Sequence, residues 1–371
     1  METLSIAMVS PYDFSYPSGV NTQAINLSKY LISLGHNVDI IGPSSTRTTI
    51  DGTTFHSLGK CISFPIASTA TRISLNPKIF FNLRAILKKQ FDVIHIHEPF
   101  MPLVSLSTLL LAQSPIIVTF HAYHEYKNNY KILQNMMSRL MNRIDHAVCV
   151  SKTSQSYIQA WLEKFTGDVS IIGNGIDVSR FNSPRKHDAV SHPFTVTFIG
   201  RDEPRKGLKL LLEAMNKLSY SNYPMKLLIA GPHDLSPYHN LFPNLFNKTE
   251  IELLGPVNND VIPNILRATD VLCAPSLEGE SFGIILLEGL ASHTPVVATN
   301  IKGYTDVLSL RNYPTIPVND TGAIANAVET LLLNPSLRHQ MAELGNHIVR
   351  KYDWTVIGPK IESIYWDVRG K

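Results

Sequence analysis

Apolar residues along the chain follow two alternating periods. Short runs rich in Val and Ile are separated by longer segments in which apolar residues recur with helical spacing. Between the first two runs, the apolar positions fall at i, i+4, i+7, i+11 and i+14 of one helix face: Val20, Ala24, Leu27, Leu31 and Leu34. We predict that this helix ends at Gly35, because glycine commonly terminates helices. Strands that alternate with helices are typical of βαβ units and of a parallel sheet covered on both faces.

The strand-like runs form two series. The first half of the chain contains LSIAMVS, NVDIIGP, DVIHIH, PIIVTFH, HAVCVS and VSIIGNG. The pattern stops over the polar stretch SRFNSPRKHDAVSHP and resumes with FTVTFIG, MKLLIAG, IELLG, VLCAPS and PVVAT. We therefore predict an α/β protein with two Rossmann-like, doubly wound domains, residues 1–180 and 194–353, joined by a linker over about residues 180–193.

A last helical pattern covers about residues 354–371. Its apolar residues are Ile357, Ile361, Ile364 and Tyr365. We favour packing of this helix back onto the first domain. The alternative is an ordinary closing helix of the second domain.

Composition narrows the function classes. A chain of 371 residues with 44% hydrophobic residues can build two cores. A net charge of +3 argues against a nucleic-acid partner but permits local contact with anionic lipid or phosphate. The three cysteines lie far apart, and two of them sit in apolar runs, which suggests a reducing compartment. The first apolar run follows no basic segment, and no apolar run approaches the ~18 residues of a membrane span, so we expect a cytoplasmic protein.

Ligands of doubly wound sheets bind beyond the carboxyl ends of the strands, so candidate residues should follow strands directly. After the first strand, the turn at Ser18 and Gly19 can bring backbone N–H groups and a helix N-terminus to an anion, with phosphate as the natural ligand. Taken alone, this turn is equally typical of an ordinary turn that precedes a helix and binds no ligand.

A basic turn, GRDEPRKG, follows the run FTVTFIG. Its Arg201, Arg205 and Lys206 stand at the entry to the next helix, a position that suits a diphosphate. Fixed cations there can neutralise the charge that grows on a leaving group. The alternative is a solvated basic turn.

The segment PSLEGESFGIILLEGLAS carries two glutamates around the start of a helix. Glu280 precedes that start and Glu288 lies more than a turn inside it, where a carboxylate can accept hydrogen bonds from sugar hydroxyls. The residues between them can face a phosphate through a hydroxyl and backbone N–H groups: Ser281, Phe282, Gly283 and Ile284. A capping glutamate and a helix-surface glutamate are the alternative for the segment in isolation.

Histidines cluster at two strand ends of the first domain. His121 ends PIIVTFH, where it can hydrogen-bond a sugar hydroxyl or steady charge during bond cleavage. We interpret His95 as a core residue and His97 as lining of the cleft.

Signatures of competing chemistries are missing from the sequence. It contains no Asp-x-Asp, no His-Glu-x-x-His, no Walker lysine motif and no complete Gly-x-Gly-x-x-Gly. We therefore expect no metal ion and no cofactor, with basic side chains in the role that a metal would have.

Taken together, these stretches resemble the large retaining GT-B glycosyltransferase family with the E-x7-E signature, here Glu280 to Glu288. More narrowly, the chain is similar to the bacterial phosphatidylinositol mannosyltransferases, which use GDP-mannose. The resemblance runs nearly end to end, through MVSPYDFSYPSGVNTQ, DVIHIHEP, VTFHAY, IIGNGIDVSRF, GRDEPRKG, APSLEGESFGIILLEGLAS and KYDW. It implies two Rossmann-like domains that face a central cleft and close over a nucleotide-sugar donor.

The resemblance also implies residue roles. At the donor, Gly19 would contact phosphate, Arg201 and Lys206 the diphosphate, Glu280 the transferred sugar and Glu288 the ribose. The backbone of Phe282, Gly283 and Ile284 would line the same site. His121 would reach the sugar ring from the opposite domain. Tyr12 and Asn21 would face the acceptor.

The chain departs from this family at the acceptor side. Ser18 and Asn21 stand where the mannosyltransferases typically carry Gly and Gln. A lysine expected shortly after His121 has no clear match, because Tyr126 takes its place with Lys127 beside it. The resemblance implies front-face attack with retention, in which the departing phosphate receives the acceptor proton. The site needs no pair of glycosidase-type carboxylates for that reaction.

Membrane contact is a separate hypothesis from the segment SLNPKIFFNLRAILKKQF. Its cations, Lys78, Arg84, Lys88 and Lys89, are mixed with large apolar residues, as in a basic amphipathic helix on anionic lipid at the inner membrane face. An ordinary surface helix with snorkelling lysines is the alternative.

Two rival functions stay open at this point. One is a transferase of the same family that uses a UDP-sugar and a soluble glycoside or sugar-phosphate acceptor. The other is a non-catalytic nucleotide-sugar-binding module, which would not need to keep the residues His121, Arg201, Lys206 and Glu280 together.

Overall fold

The protein consists of two compact units. The structure is a computed structural model that describes residues 2–66, 69–122, 138–162, 165–182, 193–220 and 223–370. One unit contains Met1–Gly175 and Trp354–Lys371, and the other contains Ile176–Asp353. No helix among the described residues is both long and apolar enough to cross a membrane.

The first unit is built on a seven-stranded parallel sheet. Its strands are β1 (Ser5–Val9), β2 (Asn37–Gly42), β3 (Thr54–Ser57), β6 (Val93–His97), β7 (Ile116–Phe120), β8 (His146–Cys149) and β9 (Asp168–Ile171). Their order is β3-β2-β1-β6-β7-β8-β9. An antiparallel hairpin is formed by β4 (Ile62–Ile66) and β5 (Thr69–Ile73). Neither β3 nor this hairpin was predicted from the sequence, because these strands carry no continuous apolar run.

Helices cover both faces of this sheet. Gly19–Ser33 and Trp354–Arg369 pack together on one face, and Lys78–Ile86 and Val104–Leu111 pack together on the other. The C-terminal helix approaches the first helix closely, since a Cβ at Gly358 would lie 2.3 Å from the ring of Tyr30. The remaining helix described in this unit is Lys152–Leu162.

The second unit has a five-stranded parallel sheet. Its strands are β10 (Phe194–Ile199), β11 (Met225–Ala230), β12 (Glu250–Gly255), β13 (Val271–Ala274) and β14 (Val296–Ala298), in the order β12-β11-β10-β13-β14. The helices described here are Val178–Phe181, Leu208–Leu218, Ser236–His239, Pro243–Lys248, Ile262–Arg267, Ile284–Ala291, Lys302–Leu308, Thr321–Leu333 and Pro335–Val349. The predicted α/β class with parallel sheets is confirmed.

Both sheets reverse their strand order beside their first strand. In the first unit β1 lies between β2 and β6, and in the second β10 lies between β11 and β13. Crossovers leave such a strand toward opposite sides of the sheet, which opens a crevice at its carboxyl end. The loops after β1 and β10 are therefore the places where ligands are expected.

The boundary between the units lies earlier than the predicted position at residue 180. Ile176 donates its backbone N–H to the Tyr352 carbonyl oxygen (2.8 Å), and the Val178 N–H donates to the Asp353 carboxylate (3.1 Å). These bonds attach the segment from Ile176 onward to the second unit. Residues 183–192 of the predicted linker lie outside the described residues.

Two glycines of the second unit let neighbouring backbone segments touch. A Cβ at Gly303 would lie 2.0 Å from the Glu280 carbonyl oxygen. A Cβ at Gly207, where φ is 75°, would lie 2.0 Å from the Pro275 carbonyl oxygen. Both contacts hold the Pro275–Glu280 region against adjacent helices. A side chain added at either glycine would clash with backbone, which cannot move aside as a flexible side chain can.

We expect Gly303→Ala to destabilise the protein by about 1–3 kcal/mol, because the new methyl group overpacks a backbone contact. Gly322→Ala is the matched control. It lies at the same position in the first turn of another helix, and its Cβ would meet only an Asp320 carboxylate oxygen at 3.3 Å. Since alanine favours helices, this control should be neutral or stabilising by up to about 1 kcal/mol. Chemical denaturation of both variants checks the difference, and equal effects would refute the proposed contact.

Candidate functional site

The Glu280 carboxylate is the centre of a charged cluster in the second unit. Its Oε1 accepts hydrogen bonds from Lys206 Nζ (2.5 Å) and Arg205 Nη1 (2.8 Å), while the side chain is only 14% exposed. Burial acts to raise the pKa of Glu280, but the charges and hydrogen bonds of Lys206 and Arg205 outweigh it and lower that pKa. Glu280 is therefore ionised at neutral pH.

Arg205 is shared between two carboxylates. Its Nη2 lies 2.7 Å from Glu203 Oε2, and its Nη1 also reaches the Gly279 carbonyl oxygen at 3.3 Å. The side chain is 8% exposed. We expected Arg205 to bind the donor directly. The structure instead uses its guanidinium to hold Glu280 and Glu203 in place, because both of its terminal nitrogens already have acceptors inside the protein.

Arg201 belongs to the same cluster through Glu203. Its Nη1 lies 3.1 Å from Glu203 Oε1, and its side chain is 53% exposed. Of the three predicted cations, Arg201 is thus accessible, Lys206 is partly buried and Arg205 is internal. Glu203 was not among the predicted site residues, although an acidic residue inside a basic turn is itself a signal for ion pairing.

Backbone geometry brings the basic turn against the Glu280 loop. Pro204–Lys206 forms a 3-10 turn that ends at Gly207 in the left-handed region (φ 75°). The Leu277 N–H then donates to the Arg205 carbonyl oxygen at 2.7 Å, which joins the two loops. The loops after β10 and β13 therefore hold the side chains of Lys206 and Glu280 next to each other.

The helix Ile284–Ala291 begins next to this cluster. Its N-cap is Gly283 at φ 90°, where a Cβ would lie 2.6 Å from the ring of Tyr304. Phe282 is buried against Tyr352, with ring centroids 5.3 Å apart, whereas Ser281 and Ile284 are half-buried. The first turn of a helix leaves N–H groups without intrahelical partners and carries a partial positive charge, so this end can receive an anion.

Glu288 lies further along the same helix and is half-buried. Burial raises the pKa of its carboxyl to about 7, against the opposing effect of the Arg180 charge. Arg180 itself bonds the Asn259 carbonyl oxygen (2.5 Å) and Asp260 (3.1 Å). At neutral pH the Glu288 carboxyl is therefore present in both protonation states and can donate or accept a hydrogen bond.

In the first unit, the loop after β1 is shaped by Asn21. Its Oδ1 accepts from Ser10 Oγ (2.6 Å), and its Nδ2 donates to the carbonyl oxygens of Tyr12 (3.2 Å) and Asp13 (3.1 Å). The side chain is buried. We expected Asn21 to face the acceptor, but its amide is committed to folding the loop. Tyr12 is half-buried in the same loop.

Ser18 caps the helix Gly19–Ser33. Its Oγ accepts from the Asn21 N–H at 3.5 Å, and its carbonyl oxygen accepts from the Thr22 N–H at 2.9 Å. Gly19 is exposed at the first helical position. This arrangement places an open helix N-terminus at the carboxyl end of β1, as the sequence predicted.

A second buried carboxylate, Asp13, organises the surroundings of this loop. Its oxygens accept hydrogen bonds from Ser15 Oγ (2.6 Å), Ser45 Oγ (2.6 Å) and Arg72 Nε (3.2 Å). Burial acts to raise the pKa of Asp13, yet the bonds from Ser15 and Ser45 lower it to about 2. No local pattern could have revealed this group, because Ser45 and Arg72 are distant in sequence.

Three histidines line one face of the first sheet. The rings of His95 and His97 stack with centroids 4.6 Å apart, and His97 Nδ1 lies 2.8 Å from His121 Nε2. His95 also bonds the Tyr365 hydroxyl (2.6 Å) and Thr119 Oγ1 (2.7 Å). His95 is thus a satisfied core residue, whereas His97 connects the core to His121.

His121 is held from several directions at the end of β7. Its backbone N–H donates to Glu98 Oε1 at 2.6 Å, and its imidazole is hydrogen-bonded by the Asn174 side chain. Burial lowers the pKa of the His121 ring to about 3, so the ring is neutral at physiological pH. A small pocket at this point is lined by His97, His121, Gln23, Asn174, Gly175 and Trp354.

The predicted membrane-contact segment forms the helix Lys78–Ile86. Ile79 and Leu83 are buried, while Phe81 is 69% exposed beside the exposed Lys78 and Arg84. Lys88 is exposed beyond the end of the helix. Lys89 differs from the expectation of a membrane-facing cation, because its Nζ lies 2.8 and 2.9 Å from the two oxygens of the Asp39 carboxylate. Tyr126 and Lys127 lie outside the described residues.

Comparison with known proteins connects both units to sugar transfer. Residues 17–180 match the family Glycosyltransferase Family 4, and residues 179–347 match the family Glycosyl transferases group 1. A phosphatidyl-myo-inositol mannosyltransferase of Mycobacterium leprae is 31% identical, covering 98% of this chain and 96% of the relative. The protein of the same name from Mycolicibacterium smegmatis is also 31% identical, over 99% of this chain and 95% of its own length.

Solved structures agree in fold. A glycosyltransferase from Rickettsia africae superposes with a TM-score of 0.76 at 21% identity and covers 99% of both chains. Anabaena HepE in complex with UDP superposes with a TM-score of 0.72 at 16% identity, covering 98% of this chain and 100% of its own. With parallel sheets in both units, two matching family descriptions and relatives at 31% identity over nearly the whole chain, this protein belongs to the GT-B glycosyltransferase family.

Proposed function

We propose that the protein transfers mannose from GDP-mannose to a phosphatidylinositol-type lipid at the cytoplasmic face of a membrane, with retention of configuration and without a metal ion or other cofactor. The names of the relatives at 31% identity support the sugar and the acceptor. The observation that carries the chemistry is the Lys206–Glu280 pair beside the open N-terminus of the helix Ile284–Ala291.

In this proposal the second unit binds the donor diphosphate. Lys206 and Arg201 supply two positive charges, and the first-turn N–H groups of the helix that starts at Ile284 supply hydrogen bonds. As the bond from the sugar to the diphosphate breaks, negative charge grows on the leaving oxygen. Prepositioned cations and N–H dipoles stabilise that charge without reorganisation, so they lower the barrier.

The two glutamates have separate tasks in the donor site. Glu280 stays ionised beside its cations, so it accepts hydrogen bonds from hydroxyls of the transferred sugar. Burial raises the pKa of Glu288 to about 7, so its carboxyl can donate a hydrogen bond to a ribose hydroxyl when protonated and accept one when ionised. Arg205 holds the Glu280 carboxylate in place through its ion pair.

The first unit contributes His121 and the loop after β1. The neutral His121 ring hydrogen-bonds a hydroxyl of the sugar, and the exposed helix start at Gly19 meets phosphate. Ser18 and Tyr12 lie at the same strand end, where they line the acceptor. The acceptor hydroxyl attacks the anomeric carbon on the face that the diphosphate leaves, and its proton passes to the departing phosphate oxygen.

Lipid access is provided by the helix Lys78–Ile86. Phe81 and the less exposed Phe80 can enter the interfacial region while Lys78 and Arg84 meet anionic headgroups. Membrane contact through this helix would keep the enzyme where its acceptor is concentrated.

We expect GDP release from GDP-mannose in the presence of EDTA when anionic vesicles contain phosphatidylinositol, together with an α-linked mannolipid product. Nucleotide release from a panel of GDP- and UDP-sugars, with and without these vesicles, measures this. Turnover of a UDP-sugar with a soluble acceptor would refute the mannolipid assignment and leave the family unchanged. Loss of turnover in EDTA that returns with a divalent metal would refute metal independence.

We expect Lys206→Met to reduce kcat by about 10²–10³-fold, because one prepositioned charge on the leaving group is removed. Lys209→Met is the matched control: it removes the same charge from an exposed position in the next helix. Steady-state kinetics with GDP-mannose at a temperature where both variants are folded separates the two. Equal losses in the two variants would contradict a direct role of Lys206.

We expect Phe81→Ser to weaken binding to anionic vesicles by at least about tenfold, since burial of a phenylalanine contributes about 1.5–3 kcal/mol. Leu333→Ser, which changes another exposed apolar residue, should leave binding unaltered. Vesicle co-sedimentation checks both variants. Undiminished binding by Phe81→Ser would exclude this helix as the lipid contact.

A further inference from the structure

His97 and His121 meet because of strand alternation. In β6 and β7, Ile96 and Val118 point to the helices on one face of the sheet, so His97 and Thr119 point to the other. His97 pairs with Thr119 in the parallel register, and His121 follows two positions later on the same side. The two rings lie nearly parallel, at 21°, with centroids 5.1 Å apart.

The contacts of His97 determine which of its nitrogens carries the proton. Its Nε2 lies 3.1 Å from Met8 Sδ. A thioether sulfur has no proton to donate, so Nε2 must be the protonated nitrogen in this contact. The ring is neutral, because burial lowers the pKa of His97 well below its ordinary value. Its Nδ1 therefore carries a lone pair.

The proton on His121 follows from that assignment. His97 Nδ1 lies 2.8 Å from His121 Nε2, and one of these two nitrogens must donate. Since His97 Nδ1 can only accept, His121 Nε2 carries the proton. The ring of His121 is also neutral, so its Nδ1 is the nitrogen that can accept.

Other groups restrict the remaining freedom of His121. The Glu98 carboxylate accepts a hydrogen bond from the backbone N–H of His121, which fixes the main chain at the end of β7. Glu98 itself has φ 52°, in the left-handed region, and its side chain is buried. The Asn174 side chain also bonds the imidazole. Since His97 takes Nε2, that bond is left to Nδ1, and an amide can turn either its NH₂ group or its oxygen to a ring nitrogen. His97 Nδ1 can only accept, so His97 is the group among these that selects the tautomer.

We infer that His97 is a positioning residue for the transfer reaction: it holds His121 in the Nε2–H tautomer, so that Nδ1 is an acceptor, for the Asn174 amide in this structure and for a sugar hydroxyl when the donor is bound. This inference rests on the proposed function, since the benefit of a fixed tautomer is a fixed hydrogen-bond direction toward the substrate. It adds that a residue without substrate contact controls that direction.

The tautomer itself can be observed without any substrate. In the full chain labelled with ¹⁵N-histidine, two-bond and three-bond ¹H–¹⁵N correlations distinguish the two neutral forms, and His121→Asn identifies the signals of His121. We expect a protonated Nε2 and an unprotonated Nδ1. The opposite tautomer, or rapid exchange between the two, would overturn the inference.

Two substitutions of His97 test its consequence for catalysis. Asn places an acceptor oxygen at the same reach as Nδ1, whereas Leu offers none and leaves the His121 Nε2–H without a partner. We expect His97→Leu to lower kcat by about 10–100-fold with little change in KM for the donor, and His97→Asn to stay within about threefold of the natural protein. A loss with Asn as large as that with Leu would overturn the inference.

His95→Leu is the matched control. It removes the two buried hydrogen bonds of His95, those to Tyr365 and Thr119, from the same row of histidines. It should therefore lower stability about as much as His97→Leu. It should preserve the His121 tautomer and most of kcat. If no nucleotide sugar is turned over by the natural protein, the proposed function fails while the tautomer measurement still decides this inference. If the natural protein is active and His97→Leu keeps full kcat, the inference alone fails.

Discussion

In both sheets every strand runs in the same direction, so all the strands of a sheet end at one edge. Residues along a strand are divided between two helix layers, so the polar groups that can act on a ligand are expected just past the carboxyl ends. The candidate polar groups of each unit lie just past carboxyl ends of strands: His121 after β7 in the first unit, and Arg201 after β10 and Glu280 after β13 in the second. The direction of the strands thus decides where chemistry can occur, and the loops supply the chemistry.

Burial at these strand ends makes each charge depend on a partner. An isolated carboxylate in a protein interior is costly, whereas one that receives charge-assisted hydrogen bonds is tolerated. Glu280 meets this condition through Lys206 and Arg205, and Asp13 meets it through hydroxyls and Arg72. The two carboxylates therefore order their loops. Arg205 contributes to this order, since it joins Glu203 and Glu280 and is itself buried.

The three neighbouring histidines, His95, His97 and His121, follow a similar rule for neutral groups. Desolvation lowers the pKa of His95 and His121 to about 3, so each of these rings has one donor and one acceptor nitrogen to satisfy. The Tyr365 hydroxyl, Thr119 and Met8 satisfy the inner rings, and the outermost ring is left facing the strand end. The C-terminal helix takes part in this order because it carries Tyr365 into the core of the first unit.

The sequence by itself determined the two α/β units, the strands with continuous apolar runs, and the residues Lys206, Glu280 and His121 as candidates. Those features depend on local periodicity and on position relative to strand ends, which are properties of neighbouring residues. Only the tertiary structure decided that Arg205 is internal, that Asn21 folds its loop, that Lys89 is bound to Asp39, and that His97 contacts His121. It also revealed β3 and the hairpin, which lack an apolar run. Each of these outcomes depends on which distant groups become neighbours, because a donor is available to a ligand only when no acceptor inside the fold has already taken it.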